Sequence, residues 1–282
     1  MIDKPTTADG YRSEYVALVR ATCLYIATKL GDLMDDLVIV GGLAPSLLVD
    51  QESLSDAAQA HVGTIDLDVG LTLALLNEGR YRVLSERLRR AGFVQDVNEE
   101  GRPTRQRWVF ESPEKVTIDF LIQPSLQTDR GGALRNIEED FAAIIAPGLH
   151  LAFQDRERVT LTGRTIVGEN AERAVWVCGP GAFVVLKALA FQSRGENKDA
   201  YDLYDILRNY GSRVEDIADR LRPLAGDPAS STALEILRKD FLGHDAVGPR
   251  RVATFLTGGS DEEIQADVVG FAAAFLRCFD KD

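Results

Sequence analysis

A pair of aspartates inside an apolar run constrains this chain more than any other feature of its sequence. Asp66 and Asp68 lie in Thr64-Ile-Asp-Leu-Asp-Val69. Residues two apart on a strand project from the same face, so the two carboxylates are predicted to stand side by side. Like charges at that distance are costly unless a cation lies between them. The sequence therefore predicts a site for a hard divalent cation, with Mg²⁺ the usual choice where phosphates also bind.

A glycine turn precedes the aspartates. Leu37–Val40 is a short, uncharged apolar run, which is typical of a central strand. Gly41 and Gly42 stand between this strand and a predicted helix over residues 43–49. Such a turn could bring backbone N–H groups to the aspartates as a phosphate cradle. Plain turn glycines would explain the same pattern.

A third carboxylate occupies another apolar run. Asp119 lies mid-strand in Val116-Thr-Ile-Asp-Phe-Leu-Ile122. Three carboxylates on adjacent strands suit a two-metal site that aligns a nucleophile with a triphosphate leaving group. The plainer interpretation of Asp119 is a strand aspartate paired with a nearby arginine. For Asp66 and Asp68 the plainer interpretation is a solvated turn.

Two helices of the C-terminal half carry further charged candidates. Lys187 is the only charge in an otherwise apolar helix, and its ammonium needs a partner unless it reaches the helix edge. On the next helix, the 100° spacing places Asp199 within the apolar stripe, Lys198 and Asp202 at its margin, and Asp205 outside it. These residues are candidates for contact with a polyanion. Complementing the helix dipole would also account for Asp199.

Composition limits the class of protein. The 282 residues carry 32 basic and 44 acidic side chains, and the resulting net charge of −12 argues against a generic nucleic-acid coat protein. The arginine-rich segment 80–107 is the candidate for contact with RNA phosphates, although a solvated helix face usually explains such a run. Scattered cysteines, with neither a signal peptide nor an apolar run of membrane-spanning length, predict a cytoplasmic protein without membrane partners.

The order of predicted elements indicates an α+β protein. Strand and helix patterns alternate up to Cys178, and after Gly179-Pro180 five helices are predicted. We expect two domains, 1–178 and 179–282, with a cleft between them. Asn197 is the predicted N-cap of the second of these helices.

Taken together, these residues resemble the nucleotidyltransferase superfamily, which shares the palm of DNA polymerase β. The pattern is a Gly-Gly or Gly-Ser turn between strand and helix, then Asp-x-Asp, then a third strand aspartate. Within the superfamily the chain resembles the AbiEii/MenT group, found as toxins of toxin–antitoxin systems. The closer match lies in Val40-Gly-Gly-Leu-Ala44, Thr64-Ile-Asp-Leu-Asp68, Lys187-Ala-Leu-Ala190 and Lys198-Asp-Ala-Tyr-Asp-Leu-Tyr204.

The resemblance implies a fold and a site. The fold would be a nucleotidyltransferase-like mixed sheet with flanking helices, followed by a mostly helical C-terminal lobe. Asp66, Asp68 and Asp119 would hold Mg²⁺, or Mn²⁺ in its place, and Asp119 would help to deprotonate an acceptor hydroxyl. Lys187 and Lys198 would neutralise charge developing on the phosphates. The nucleotide site would comprise Gly41, Gly42, Leu43, Thr64, Lys187, Lys198, Asp199 and Asp202.

The implied activity is transfer of a nucleoside monophosphate from a nucleoside triphosphate (NTP) to a hydroxyl, with release of pyrophosphate. The group suggests the 3′ end of tRNA as acceptor and a cognate antitoxin as partner. A small-molecule hydroxyl is the enzyme alternative, and a non-catalytic nucleotide-binding or interaction module is the other. Two departures from the family pattern bear on substrate choice. Asp66 follows Gly42 by 24 positions, which implies an inserted loop over 50–63, and the turn has glycine in place of serine.

Overall fold

The computed structural model describes residues 4–50, 54, 60–72, 78–98, 100–110 and 115–280. Residues 51–53 and 55–59 of the inserted loop, and 112–114 of a predicted hairpin turn, lie outside the described residues. The chain divides into two compact units. The described residues of the first lie within 13–44 and 63–178, and those of the second lie within 4–12, 45–62 and 179–280.

The first unit is built on one mixed sheet. Within the described residues the sheet has nine strands, and its main order is β3-β4-β5-β2-β1-β9-β8, with β7 pairing with β5 and β6. The strands are β1 Leu37–Val40, β2 Asp66–Leu71, β3 Phe93–Val97, β4 Pro103–Phe110, β5 Thr117–Ile122, β6 Leu134–Glu138, β7 Phe141–Ile145, β8 Arg156–Arg164 and β9 Asn170–Cys178.

Strand β2 lies between β1 and β5, and this position determines where its aspartates stand. It runs antiparallel to β1, with Asp68 opposite Val40, and parallel to β5, with Asp68 opposite Asp119. Every residue of β1 is buried, as its uncharged sequence predicts. Central placement of β2 therefore puts its carboxylates in the interior of the sheet rather than at an edge.

Helices α1 (Ser13–Leu30), α2 (Ala44–Leu48), α3 (Glu78–Arg90) and α4 (Leu151–Gln154) accompany these strands in the chain. Helix α1 packs against β8 and β9, and α3 packs against α1 and β3. An aromatic cluster fills the core beside β4, β5 and β7. In it the ring of Phe141 lies 5.2 Å from that of Phe120 and 6.0 Å from that of Trp108, centroid to centroid. Burial of these rings is a main source of stability for this unit.

The second unit is helical in its described part. Its helices are α5 Pro180–Arg194, α6 Asn197–Asn209, α7 Val214–Leu221, α8 Pro228–Phe241, α9 Val247–Thr257 and α10 Glu262–Arg277. Helix α5 packs against α6, α7 and α8, and α6 against α9 and α10. The turn between α5 and α6 is made by Gly195, whose φ of 66° ends α5 in the left-handed region.

The mixed sheet with flanking helices and the helical second half confirm the predicted α+β class. That residues 1–178 and 179–282 fold as separate domains stays a prediction. The hairpin β6–β7 and helix α9 lie in segments to which no element was assigned from the sequence. The predicted N-cap at Asn197 is wrong: Glu196, with extended backbone angles, occupies that position and Asn197 is the first residue of α6.

Candidate metal centre

Three carboxylates converge on one face of the first unit's sheet. Asp66, Asp68 and Asp119 each offer an oxygen, and these oxygens all lie within 4.8 Å of one another. Asp66 and Asp119 are buried, while Asp68 is partly exposed. The convergence follows from strand alternation on β2 and from the parallel register that sets Asp68 beside Asp119. The group could hold a metal ion, and the predicted role of each residue as a ligand stays a prediction.

The apolar face of β2 determines which way its carboxylates point. Leu67 and Val69 have no exposed surface, so the strand is buried on that face by apolar packing. A slip of one residue would exchange these side chains with the aspartates, which fixes the register. Asp66 and Asp119 are thus held buried beside the partly exposed Asp68, and their like charges repel one another.

The glycine turn is pressed against this group. Gly41 has φ of 69°, and a Cβ on it would lie 1.9 Å from Asp68 Oδ2 and 2.7 Å from Asp68 Cγ. Any side chain there would collide with the carboxylate, so glycine is required both for the backbone angle and for the close approach. Gly42 and Leu43 complete the turn, a 3-10 segment over Gly41–Leu43, and both are buried.

These observations test whether a hard divalent cation suits the residues. Carboxylate oxygens are the ligands that Mg²⁺, Mn²⁺ and Ca²⁺ prefer. Two oxygens on opposite sides of such an ion are separated by about 4–5 Å, and the three oxygens here lie within 4.8 Å of one another. The three carboxylates therefore fit a hard divalent cation.

Thr64 acts on Asp66 directly. Its buried hydroxyl donates a hydrogen bond of 2.7 Å to Asp66 Oδ1. The bond fixes the orientation of the carboxylate, as outer partners of metal ligands commonly do. The sequence placed Thr64 among the nucleotide-binding residues, and that role stays a prediction beside this observed contact.

Arg107 joins the group although no sequence pattern singled it out from its neighbours. It lies opposite Asp119 in the β4–β5 pairing. Its Nε donates to Asp119 Oδ1 at 2.8 Å and a terminal nitrogen (Nη2) donates to Oδ2 at 2.6 Å. The hydrogen bonds with Asp119 raise the pKa of Arg107, and burial opposes them. The arginine pair that was the plainer interpretation of Asp119 is therefore present, within the carboxylate group.

The charged candidates of α5 and α6 form a separate cluster within the second unit. Lys187 Nζ lies 3.1 Å from Asp199 Oδ1 and 2.6 Å from Asp202 Oδ2. Lys198 Nζ lies 2.6 Å from Asp202 Oδ1. Lys187, Asp199 and Asp202 are buried, so the partner that the apolar surroundings of Lys187 demanded is supplied by the protein itself.

Further residues complete this cluster. Arg194 donates two hydrogen bonds of 2.7 Å to Asp199, and His61 Nε2 lies 2.9 Å from Asp202 Oδ1. The His61 ring stacks on Tyr201 with centroids 5.4 Å apart. The prediction that Asp205 points outward is wrong: its exposed fraction is 2 %, because α9 and α10 also pack on α6 and little of that helix remains uncovered. His61 could not be assigned from sequence, since 141 positions separate it from Asp202.

The ion pairs set the protonation of the cluster. Burial alone would raise the pKa of Asp202, but the Lys187 and Lys198 ammonium groups hold it well below its usual range. The pKa of Asp199 is lowered in the same way by Lys187 and Arg194 against the effect of burial. Burial would lower the pKa of Lys187, and the carboxylates of Asp202 and Asp199 raise it instead. Burial lowers the pKa of Lys198, although the Asp202 carboxylate opposes the effect. The fold therefore favours the charged forms of Lys187, Asp199 and Asp202, and these charges compensate one another.

The arginine-rich segment is largely engaged with carboxylates. Six of its eight arginines contact an acidic side chain within the described residues: Arg80 with Asp36, Arg87 with Asp32, Arg89 with Asp140, Arg90 with Glu86, Arg102 with Glu100 and Arg107 with Asp119. Exposed pairs of this kind are weak and exchangeable. Contact with RNA through this segment stays a prediction.

Two smaller observations concern composition. Cys23 and Cys178 are buried, and burial raises the pKa of the Cys23 thiol to about 12, as for an inert core cysteine. In the described part of the chain no helix combines the length and apolar character that crossing a bilayer would require.

The chain is similar to known proteins in structure and not in sequence. No family model matches the sequence, and no curated protein matches it. The chain is similar in structure to an antigenic nucleotidyltransferase-like protein from Paracoccidioides brasiliensis, with a TM-score of 0.40 and 17 % sequence identity. The match covers 77 % of this chain and 93 % of that one.

Proposed function

We propose that the protein is a Mg²⁺-dependent nucleotidyltransferase that transfers a nucleoside monophosphate from an NTP to a hydroxyl and releases pyrophosphate. The observation that carries the proposal is the convergence of Asp66, Asp68 and Asp119 within 4.8 Å, with the Gly41 turn packed against Asp68. The resemblance of Val40–Ala44 and Thr64–Asp68 to the superfamily motifs supports it. Mn²⁺ would substitute for Mg²⁺, because both take oxygen ligands.

In this proposal Asp66 and Asp68 hold the ion, and Thr64 keeps the Asp66 carboxylate in one orientation. When bound, the ion would neutralise triphosphate oxygens and stabilise charge on the pyrophosphate as it leaves. By the resemblance, the backbone of Gly41, Gly42 and Leu43 would lie along the triphosphate, next to the Asp68 carboxylate against which Gly41 packs. By the resemblance, Asp119 would help to deprotonate the acceptor hydroxyl, and its orientation is fixed by Arg107.

Lys187 and Lys198, with Asp199 and Asp202, are assigned to the nucleotide by resemblance alone. Each lysine already has a carboxylate partner within 3.1 Å. A buried and compensated network of this kind supports a structural contribution at least as well as a contact with phosphate. The proposal therefore rests on the carboxylates of β2 and β5, and the lysines extend it.

The finer parts of the proposal follow the resemblance to the AbiEii/MenT group. They are a toxin role, the tRNA 3′ end as acceptor, a cognate antitoxin as partner, and a cytoplasmic location. A small-molecule hydroxyl is the alternative acceptor. A nucleotide-binding module without turnover is the alternative class.

An incorporation assay separates these functions. The full chain would be incubated with each α-labelled NTP, Mg²⁺ or Mn²⁺, and either total RNA, purified tRNA or a panel of hydroxylated small molecules. We expect metal-dependent label transfer and pyrophosphate release by the wild type. Asp66→Asn and Asp68→Asn should reduce the rate by at least about a hundredfold. Glu172→Gln, an exposed change on β9 of the same sheet, is the matched control and should leave it unchanged.

The outcomes discriminate between the alternatives. Transfer to tRNA supports the toxin assignment, and transfer to a small molecule replaces it. NTP binding without transfer to any acceptor favours the binding module. Absence of NTP binding contradicts the proposed site itself.

A further inference from the structure

Arg107 places a positive charge inside the carboxylate group, and this charge changes how many metal ions the group can hold. Across three neighbouring strands, Arg107, Asp119 and Asp68 occupy matching register positions. Side chains at such positions project from the same face and lie next to one another. Arg107 is therefore part of the group and not an incidental neighbour.

The contact between Arg107 and Asp119 engages both carboxylate oxygens. Nε and Nη2 of Arg107 each donate to a different oxygen, at 2.8 and 2.6 Å. This parallel geometry is the strongest that an arginine makes with a carboxylate. The Arg107 side chain is 24 % exposed and that of Asp119 is 7 % exposed, so water screens the pair less than an exposed one.

Charge balance then limits the number of ions. The three carboxylates carry three negative charges when ionised, and Arg107 returns one positive charge. The two that remain match a single divalent ion. A second ion would have to bind beside a guanidinium that already engages both oxygens of Asp119, and its repulsion from that group opposes binding.

The spacing of Asp66 and Asp68 suits one ion. Their oxygens lie within 4.8 Å of each other, a separation that one hard cation with ligands at about 2.0–2.6 Å can bridge.

We propose that Arg107 takes the place of a second metal ion, so that the site binds one divalent cation through Asp66 and Asp68 while Asp119 is held by Arg107. The inference rests on the metal centre of the proposed function, and it replaces the two-metal arrangement expected from three carboxylates alone. In this arrangement Arg107 is a positioning residue for Asp119 and a fixed positive charge beside the ion.

The test counts bound ions directly. Mn²⁺ would be titrated into the full chain without nucleotide, and free Mn²⁺ would be measured by its electron paramagnetic resonance signal. We expect one ion per wild-type chain and none on Asp68→Asn. Arg107→Gln should bind the first ion on the order of tenfold more tightly and take up a second, because a repelling charge is removed and Asp119 is released.

Two further variants keep the test decisive. Arg105→Gln removes a positive charge from the same strand, where Arg105 is exposed and lies 3.5 Å from the Asn136 amide oxygen, and it should leave the count at one. Arg107→Gln combined with Asp119→Asn removes both partners and should also bind one ion. That double variant replaces Arg107→Gln if the single change prevents folding, which circular dichroism would show.

Each result separates the inference from the proposed function. Two ions on the wild type would overturn the inference and leave the metal centre intact. An unchanged count and affinity in Arg107→Gln would do the same, and so would complete loss of binding in the double variant, since Asp119 would then be a ligand of the first ion. No Mn²⁺ on the wild type, or binding that survives Asp68→Asn, would contradict the metal centre itself.

Discussion

Gly41 and Asp68 approach each other so closely that a single methyl group would not fit between them. A Cβ on Gly41 would stand 1.9 Å from Asp68 Oδ2, and the φ of 69° at Gly41 is itself unfavourable for other residues. The turn after β1 and the carboxylate on β2 are therefore one structural feature. Changing the turn should change the carboxylate group.

Gly41→Ala should lower both stability and metal affinity. The positive φ alone costs about 1–2 kcal/mol for alanine, and the collision with Asp68 adds to it. We expect Mn²⁺ affinity to fall by about tenfold or more, because Asp68 must move. Gly101→Ala is the matched control: its φ is 74° and nothing lies within 4 Å of its Cβ position. If both variants lose the same unfolding free energy and neither loses Mn²⁺ affinity, the contact has no bearing on the site.

Thr64→Val should weaken the metal centre without disturbing the fold. Valine keeps the shape of threonine but removes the hydroxyl that donates to Asp66 Oδ1 at 2.7 Å. Loss of such an orienting bond costs about tenfold in metal affinity. Isothermal titration with Mn²⁺ would measure the change, and Thr160→Val on exposed β8 is the control. Equal affinities for the two variants would show that Asp66 needs no partner to hold its orientation.

Lys187→Met should destabilise the second unit strongly. The variant leaves two buried carboxylates without the ammonium that lies between them, at 3.1 Å from Asp199 and 2.6 Å from Asp202. Breaking a buried ion pair from one side costs about 3–5 kcal/mol. Urea unfolding would report the loss, against Lys239→Met on the exposed surface of α8, which should change stability by less than about 0.5 kcal/mol. A loss as small as that of the control would mean that the network contributes little.

Acid should remove the contribution of Asp202 to the free energy of unfolding. Its pKa in the folded protein is held well below the ordinary value by Lys187 and Lys198, against burial. As pH falls below about 5, the unfolded chain takes up the proton first, so the stabilisation is present above that range and is lost through it. Among the described residues, the other charged or titratable groups that interact with Asp202 are His61, Asp199, Tyr201 and Asp205.

Asp202→Asn isolates this contribution, because Asp205 is present in both proteins. The separation is needed because burial raises the pKa of Asp205, which makes its effect on the pH dependence of stability opposite in sign. The dependence of unfolding free energy on pH below 5 should be shallower in Asp202→Asn by up to about 1.4 kcal/mol per pH unit. Asp245→Asn changes a side chain that is 95 % exposed and serves as the control. Parallel curves for wild type and Asp202→Asn would contradict the lowered pKa.

Strands and helices followed from local pattern wherever the pattern was strong. The apolar run Leu37–Val40 is a buried central strand, and the arginine-rich helix begins and ends within one residue of its expected bounds. The β6–β7 hairpin was not predicted, because apolar and polar residues alternate only weakly in Leu134–Glu138 and the strand is only partly buried. Local pattern fails where a segment's place is decided by the strand it pairs with.

The carboxylates of the site were predictable, whereas their neighbours were not. The two-residue repeat of a strand is enough to place Asp66 and Asp68 on one face. Asp119 lies in an apolar run that predicts a strand, and this strand pairs with β2 in the structure. Predicting the contact of Arg107 with Asp119 requires the register of β4 against β5, and neither composition nor spacing specifies that register. Predicting the role of His61 requires its contact with Asp202 of α6, which lies 141 positions away in the chain. Contacts between residues far apart in the chain cannot be predicted from the local pattern of one sequence.

Anomalous diffraction from a crystal of the full chain soaked in MnCl₂ tests the central claim most directly. The claim is that Asp66 and Asp68 hold a divalent cation beside the Gly41 turn. We predict an anomalous peak within about 2.5 Å of carboxylate oxygens of both residues, absent from Asp68→Asn crystals grown and soaked in the same way. Crystals that show Mn²⁺ only at other positions, or none at this carboxylate group at saturating MnCl₂, would contradict the account.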